Sequence, residues 1–258
     1  MSAPVPRDAE VARRGYTLKE LMVISAAREI NDGELVFVGM CLPMEAFLVA
    51  RRTHAPHAMG LFENGLLRET PAAAPLHTMG DPSNIHGAMQ CGQMLDVMSL
   101  LQQGRVDVGL LGTGEVDRFG NLNTVWGHRN DEMRRLPGSG GSCDIACLAR
   151  RTVVLVPHDR DRLRERVDHI TSPGYGVGNG WRRAQGLPVD TGPAVIITNL
   201  GVLRFGPDGE AYLASVHPGV GVEVVLSHTG WTLRVADELV ETIPPSKQEL
   251  AALRQAVP

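Results

Sequence analysis

The sequence is poor in cysteine and in aromatic residues, and neither sign of charge is in large excess. Four cysteines occur among 258 residues. No two of them form a CxxC pair, which is typical of a reducing compartment rather than of a disulfide framework. Lys and Arg total 25 against 29 Asp and Glu, so no basic excess is present to neutralise phosphates. Aromatic residues make up 4% of the chain, which leaves little surface for base stacking, and we therefore predict no nucleic-acid partner.

Long apolar runs are also missing. The first 16 residues lack the apolar core of a signal peptide, and no run reaches the roughly 18 apolar residues that a membrane-spanning helix needs. The composition is otherwise that of a globular protein, with 43% hydrophobic and 21% charged residues. We expect a cytoplasmic protein with no membrane partner. Its predicted organisation is a tail over residues 1–16, one domain over residues 17–245, and a tail or helix over residues 246–258.

Helix and strand signals alternate along the chain. Thr17 and Glu20 form a capping box at the start of an apolar helix, and Leu35–Val38 is a fully apolar run, typical of a buried parallel strand. Further helices and strands are predicted near residues 43–51, 59–62, 92–103, 106–111, 142–149, 152–156 and 222–227. The runs 195–198 and 202–205 predict an antiparallel hairpin. We predict an α/β fold with an open, mainly parallel sheet, flanking helices and a few antiparallel additions in the C-terminal third.

A carboxylate stands at the end of one predicted strand. Glu63 follows Met59–Phe62 directly and precedes Asn64 and Gly65, a pair that favours a left-handed turn. Ligands of open α/β sheets collect at the carboxyl ends of strands. A partly buried Glu63 at such a bend is suited to act as a nucleophile or a base. The alternative interpretation is an ordinary solvated turn residue.

Glycines precede one predicted helix. Gly138, Gly140 and Gly141 come just before the helix at 142–149, and their amides can approach a phosphate, a carboxylate or a thioester oxyanion closely. The stretch is neither a P-loop nor a dinucleotide-binding motif, and the alternative is a plain flexible turn. A second glycine-rich stretch, residues 174–180, predicts a long surface loop.

Two further groups of polar residues raise the question of a metal. Glu115 and Asp117 lie in a strand-end loop and are candidates for acid/base work or metal binding, whereas the alternative is a turn with an ion pair of Arg118. His54 and His57 are three residues apart, but no third ligand accompanies them. Because zinc sites need more ligands, we predict no metal site.

The order of several motifs along the chain is more informative than any one of them. They are Glu63-Asn64-Gly65, Met79-Gly80-Asp81, residues 116–123, Gly138-Ser139-Gly140-Gly141, Thr171-Ser172-Pro173-Gly174, residues 198–203 and His217-Pro218-Gly219-Val220. On these residues the chain resembles the β subunit of class I coenzyme A transferases, particularly the glutaconate CoA-transferase type, over roughly residues 17–245. Phe62 stands where the family has serine, and Glu115 stands where it has glutamine.

The resemblance implies a function, a site and a partner. It implies transfer of CoA from an acyl-CoA to a carboxylic acid, through an acyl-glutamyl anhydride and a glutamyl-CoA thioester on Glu63. It places Asn64, Gly65, Gly138, Gly140 and Gly141 in the coenzyme A contact, Asn64 and Gly65 also holding the bend that presents Glu63. Coenzyme A is a substrate moiety in this scheme, and no permanently bound cofactor is implied. The family also implies a homologous α subunit, with a hetero-oligomer of αβ pairs and no activity for this chain alone.

Other functions remain open from the sequence. Relatives of this fold hydrolyse CoA thioesters, open rings on CoA substrates or decarboxylate glutaconyl-type CoA esters, and the departures at Phe62 and Glu115 leave room for such chemistry. The retained Glu63 favours transfer. A non-catalytic ligand-binding domain is a further alternative, but it would not need Glu63 and the glycine loop together. The motifs suggest a dicarboxylic or branched acyl group.

Overall fold

The computed structural model describes residues 15–72, 74–129 and 132–255, so nearly all of the predicted tail at residues 1–16 lies outside the described residues. Within them, ten strands form one sheet, and two smaller sheets have three and two strands. The strands are β1 (Leu35–Val38), β2 (Met59–Phe62), β3 (Leu66–Arg68), β4 (Gln90–Cys91), β5 (Val108–Gly112), β6 (Glu115–Asp117), β7 (Leu122–Asn123), β8 (Trp126–Arg129), β9 (Glu132–Arg135), β10 (Arg151–Leu155), β11 (Leu163–Arg164), β12 (Pro193–Ile197), β13 (Gly201–Phe205), β14 (Ala211–Val216) and β15 (Arg234–Glu241). The helices are α1 (Leu18–Ala27), α2 (Leu42–Arg52), α3 (Pro82–Ile85), α4 (Met94–Gln102), α5 (Ser142–Leu148), α6 (Trp181–Ala184), α7 (Val222–Ser227) and α8 (Lys247–Arg254).

The centre of the large sheet is parallel. Its strand order is β15-β14-β13-β12-β10-β5-β1-β2-β3-β4, and neighbouring strands from β12 to β2 pair in parallel. The predicted hairpin is confirmed, because β12 and β13 pair antiparallel with Ile197 opposite Val202, and β14 adds another antiparallel strand. Antiparallel β3 and β4 at the other edge were not predicted. Strand β3 arises because the turn after β2 sends the chain straight back along that strand, and β4 returns later in the chain to pair with β3.

Both faces of the parallel strands are buried. Val36 and Val38 of β1 enter one hydrophobic cluster with α1 and α2, whereas Phe37 enters a second cluster with α4 and α5. Successive side chains of a strand point to opposite faces. A strand covered on both faces therefore appears in the sequence as a continuous apolar run, and this explains the run at Leu35–Val38.

The helices begin where capping side chains satisfy their free amides. The Thr17 hydroxyl accepts from the Glu20 amide at 3.1 Å, and the Glu20 carboxylate accepts from the Thr17 amide at 2.7 Å, so the predicted capping box is confirmed. Helix α8 has the same arrangement at Ser246 and Glu249, and its Leu253 joins the cluster of α1 and α2. In the described part of the chain, no helix has the length and apolar character to cross a membrane.

Residues 174–180 form a loop with no helix or strand, as predicted, and Val177 on this loop is 56% exposed. Part of the loop is nevertheless packed into the protein. Gly174 and Gly176 are buried, and the Asn121 side-chain oxygen accepts hydrogen bonds from both of their amides. A Cβ on Gly174 would collide with the carbonyl carbon of Gly120. The glycines therefore allow two backbone segments to pack tightly against each other. A glycine-rich composition alone does not distinguish such packing from a mobile loop.

Candidate active site

Glu63 lies on a tight turn between β2 and β3. The Gly65 amide donates to the Phe62 carbonyl at 2.9 Å and closes the turn. Gly65 has a φ of +98°, and a Cβ there would collide with the Gly92 carbonyl oxygen. Only glycine fits both constraints, so Gly65 fixes the bend that presents Glu63 at the carboxyl end of β2.

The glycine loop before α5 reaches the Glu63 carboxylate. The Gly141 amide donates a hydrogen bond to Glu63 Oε1 at 3.1 Å. A Cβ on Gly140 would lie 3.2 Å from both carboxylate oxygens, so the loop backbone passes directly against the carboxylate. Glu63 is half-buried. Two features that the sequence places 78 residues apart are therefore in contact.

Gly138 and Asn64 hold loops in place instead of touching the carboxylate. The Gly138 amide donates to the Thr124 carbonyl at 2.8 Å, and open space lies where its side chain would be. Asn64 is exposed, and its Nδ2 donates to the Met79 carbonyl at 3.0 Å. The buried Asn84 donates to the same carbonyl at 2.7 Å. Asn64 thus ties the Glu63 turn to the loop that follows β3.

Hydroxyl groups hold the glycine loop on its other side. Ser142 Oγ and Ser172 Oγ are 2.6 Å apart, and the hydroxyls of Thr124 and Thr171 are 2.9 Å apart. The segment at residues 171–174 therefore supports the loop that touches Glu63. Sequence reasoning missed Ser172 as a support, because a single hydroxyl in a loop carries no pattern.

The neighbouring loop after β1 packs closely and is strained. Phe37 stands opposite Leu61 in the parallel register of β1 and β2, and continuing this register sets Gly39 opposite Glu63. A Cβ on Gly39 would lie 2.5 Å from the Leu110 carbonyl oxygen. Cys41 has φ +63° and ψ −120°, a conformation that residues other than glycine rarely adopt. Close backbone packing and strain of this kind are common at functional sites.

Glu115 and Asp117 belong to the scaffold. Both are buried. Asp117 Oδ1 accepts from the amides of Phe119 and Asn121 at 2.9 and 3.1 Å, and Asn121 Nδ2 donates to both Asp117 oxygens. Burial raises the pKa of Asp117. Arg118 lies 3.6 and 3.9 Å from two glutamates, so the arrangement is that of a turn with ion pairs rather than an acid/base site.

The two spaced histidines have separate partners. His57 pairs with Asp32 at 2.8 Å, and His54 Nε2 bonds to the Ile30 carbonyl at 3.0 Å. Across residues 15–72, 74–129 and 132–255, no group of three His, Cys, Asp or Glu is placed to hold a metal ion.

The Glu63 site offers an anionic oxygen and an amide donor together. Among the described residues, the hydrogen bond to Glu63 is that of the Gly141 amide to Oε1, and Oε2 has no donor. This leaves Oε2 available to attack an electrophilic carbon. The same amide can stabilise negative charge on Oε1 when the carboxyl carbon is itself attacked. The arrangement therefore suits covalent catalysis by a carboxylate.

The sequence matches the coenzyme A transferase family over residues 19–228. It is 38% identical to the B subunit of 3-oxoadipate CoA-transferase from Pseudomonas knackmussii, covering 93% of this chain and 92% of that protein. It is 31% identical to the B subunit of glutaconate CoA-transferase from Acidaminococcus fermentans, covering 94% and 92%. The crystal structure of glutaconate coenzyme A-transferase from that organism has a TM-score of 0.85 at 28% identity, covering 94% and 95%. That of the decarboxylase AibA/AibB has a TM-score of 0.77 at 28% identity, covering 93% and 94%.

The chain therefore belongs to the coenzyme A transferase family. The family resemblance inferred from the order of the motifs is confirmed, and so is the mainly parallel α/β fold. The match runs from the start of α1 to the end of α7 and includes both Glu63 and the glycine loop.

Proposed function

We propose that this chain is the β subunit of a two-subunit coenzyme A transferase in which Glu63 is the nucleophile. The observation that carries the proposal is the half-buried Glu63 carboxylate, bonded at Oε1 to the Gly141 amide. Family membership supports the reaction class, and the naming of relatives as B subunits supports a homologous α partner in αβ pairs. The substrates are an acyl-CoA and a carboxylic acid, with no permanently bound cofactor.

The first step forms an anhydride. Glu63 Oε2 attacks the thioester carbonyl carbon of the donor, the carbon–sulfur bond breaks, and CoA leaves as a thiolate. The acyl group remains on Glu63 as an acyl-glutamyl anhydride. Partial burial weakens the hydration of the carboxylate and favours this attack.

The second step moves CoA onto the enzyme. The thiolate attacks the carboxyl carbon of Glu63, the donor acid leaves as a carboxylate, and a glutamyl-CoA thioester remains. Negative charge develops on Oε1 in the tetrahedral intermediate of this step. The Gly141 amide already points at Oε1, and one such donor contributes about 3–4 kcal/mol. The acceptor acid then reverses both steps and leaves as the new acyl-CoA, which restores Glu63.

The glycine positions have different roles in this scheme. Gly141 supplies the amide donor, and Gly140 leaves room for the carboxylate and for the groups that become bonded to it. Asn64, Gly65 and Gly138 contribute to the coenzyme A contact through the loops that they shape. The α subunit completes the site over the exposed carboxyl edge of the sheet. A cytoplasmic location belongs to the proposal and is supported by four free cysteines.

The test uses the αβ complex produced with its α subunit. We expect Glu63→Ala to lower transfer by at least about 1,000-fold, because removing a nucleophile removes the covalent route. The matched control is Glu69→Ala, an exposed glutamate six residues further on, which should transfer CoA at the wild-type rate. After exposure to acyl-CoA alone, the mass of the wild-type β subunit should rise by bound CoA, and borohydride should then inactivate it.

Three outcomes would contradict the proposal. Glu63→Ala working near the wild-type rate would remove Glu63 as the nucleophile. Steady release of free CoA from acyl-CoA without an acceptor acid would identify a hydrolase. Loss of carbon dioxide from the acyl group would identify a decarboxylase.

A further inference from the structure

The helix that follows the glycine loop begins at the residue whose amide contacts the reactive carboxylate. Gly141, which donates to Glu63 Oε1, caps the start of α5. Next to it, Ser142 Oγ and Ser172 Oγ are 2.6 Å apart and buried. Because the first amides of a helix point along its axis, the direction of the Gly141 amide depends on how α5 is oriented.

Arg182 on α6 holds the other end of this helix. Its Nη2 donates to the carbonyls of Ala146 and Cys147, both at 3.1 Å. These carbonyls belong to the last turn of α5, where a helix leaves carbonyl groups without a partner of its own. An arginine that bonds to them also complements the negative end of the helix dipole. The far end of α5 is therefore fixed by a side chain from a different part of the chain.

The same guanidinium also binds the segment that carries Ser172. Arg182 Nη1 donates to the carbonyls of Pro173 and Gly174, at 3.3 and 3.1 Å. Helix α5 and this segment are thus joined at two places, by the serine pair at the start of the helix and by Arg182 at its end. A helix of seven residues that is joined twice to one segment cannot tilt without breaking one of these links.

The geometry of these contacts requires arginine in particular. Arg182 is 6% exposed, and its five hydrogen bonds, one of them to the Thr191 hydroxyl at 2.8 Å, go to neutral oxygens. Burying a cation among neutral oxygens costs desolvation energy that an uncharged side chain would not. A planar, forked guanidinium reaches acceptors on two segments at once, whereas the ammonium of lysine is a single point with three donors.

We infer that Arg182 is a positioning residue for the transfer reaction, because it holds α5 in the orientation that aims the Gly141 amide at Glu63 Oε1. The inference rests on the proposed function, since it concerns the same carboxylate. The Gly141 amide is the donor that the proposed scheme assigns to Oε1 when the thiolate attacks the carboxyl carbon. Hydrogen bonds weaken quickly as they lengthen or bend. A small rotation of α5 should therefore slow this step without changing how acyl-CoA binds.

The experiment follows formation of the glutamyl-CoA adduct on the αβ complex over time by mass spectrometry, without an acceptor acid. The donor is whichever of acetyl-, glutaryl- and isovaleryl-CoA the wild type uses fastest. In Arg182→Lys, which keeps the charge but loses the fork, the maximum rate constant per reacting site should fall about tenfold, because a misplaced donor costs less than a missing one. The donor concentration that gives half of this rate should change by less than about twofold. The final amount of adduct counts the sites able to react, and it should match that of the wild type.

Two further variants complete the comparison. Arg183→Lys is the matched control, because Arg183 is the next residue on α6 and is exposed, and it should react as the wild type does. Arg182→Gln also removes the buried charge and keeps two donors. It should show the same slowing as Arg182→Lys.

The role of Arg182 would be overturned if both of its variants kept the wild-type rate constant per reacting site, because the arginine would then serve folding alone. A change confined to the donor concentration at half of the maximum rate would place Arg182 in acyl-CoA binding instead. Failure of both variants to assemble with the α subunit would also assign Arg182 to folding. Each of these results leaves the proposed function standing, since the wild type still forms the adduct. Absence of the adduct on the wild type with all three donors would remove the proposed function and this inference with it.

Discussion

Glu63 and Asp117 are both carboxylates at strand ends, each near an asparagine and a glycine, yet their surroundings differ. Asp117 is 3% exposed and accepts hydrogen bonds from two backbone amides and the Asn121 side chain. Glu63 is half-buried and accepts one bond, on one oxygen. Residue type and local pattern do not separate the two. The two carboxylates are separated by their accessibility and by their unused hydrogen-bonding capacity. A carboxylate whose oxygens all accept hydrogen bonds has no oxygen left to react.

The largest expected effect is a loss of folding stability at low pH. It is caused by titratable groups that are buried, as Asp117 is. His158 and His217 are buried, and burial lowers the pKa of each to about 4. Below the unfolded pKa of about 6.5 the unfolded chain binds protons that the folded chain does not, so stability falls as pH drops from about 6.5 to 4, by roughly 3 kcal/mol per histidine. Calorimetry of the complex at stepped pH should show the unfolding temperature falling across this window.

A matched pair of variants assigns the acid effect. His217→Asn should be less stable than wild type at pH 7.5 but should lose less stability between pH 6.5 and 4, because one buried titrating group is gone. His86→Asn, at an exposed histidine, should leave the pH dependence unchanged. Equal slopes in all three proteins would show that other groups set the acid sensitivity.

The second prediction concerns the replacement of each of the two carboxylates by the corresponding uncharged amide. Asp117→Asn replaces an acceptor by a donor that faces other donors, so the unfolding free energy should fall by about 2 kcal/mol, or roughly 4–8 °C in unfolding temperature. Glu63→Gln should change stability by less than about 1 kcal/mol while abolishing formation of the CoA adduct. Calorimetry and mass spectrometry on the same samples measure both. An Asp117→Asn enzyme as stable as the wild type would contradict the structural role assigned to Asp117.

The parts of the molecule predicted from sequence are those set by local rules. The capping box at Thr17 and Glu20 and the apolar strand at Leu35–Val38 depend on neighbours a few residues away, and both are as predicted. The turn at Gly65 is local as well, since Asn-Gly carries its own backbone preference. Local patterns therefore placed Glu63 correctly at the end of β2.

The parts that were missed depend on contacts between distant segments. Met98 stands beside Glu63 only because α4 and α5 pack together, and no spacing along the chain reveals it. The glycines of residues 174–180 are compatible with either a flexible loop or close backbone packing. The contacts with Asn121 and Gly120 show that they serve close packing, and these contacts are not visible in the sequence. The meeting of Glu63 with the glycine loop followed from the family resemblance, not from either motif alone.

The smallest expected effect tests whether the missing side chain at Gly140 is what lets the Glu63 carboxylate sit against the glycine loop. Gly140 has a φ of +48°, and a Cβ there would lie 3.2 Å from both carboxylate oxygens. Gly140→Ala should therefore push the carboxylate from its position against the Gly141 amide and lower kcat by about tenfold, equivalent to about 1.4 kcal/mol. Steady-state transfer by the αβ complex measures the change.

The control for Gly140 carries backbone strain without the crowding. Gly104 also has a positive φ, of +65°, and nothing lies within 4 Å of the Cβ position there. Gly104→Ala should lower the unfolding temperature as much as Gly140→Ala does, since each places a side chain on a left-handed backbone at a cost of about 1 kcal/mol, but it should leave kcat unchanged. If both variants lost activity equally, general strain would explain the loss, and the open space beside Glu63 would have no specific part in catalysis.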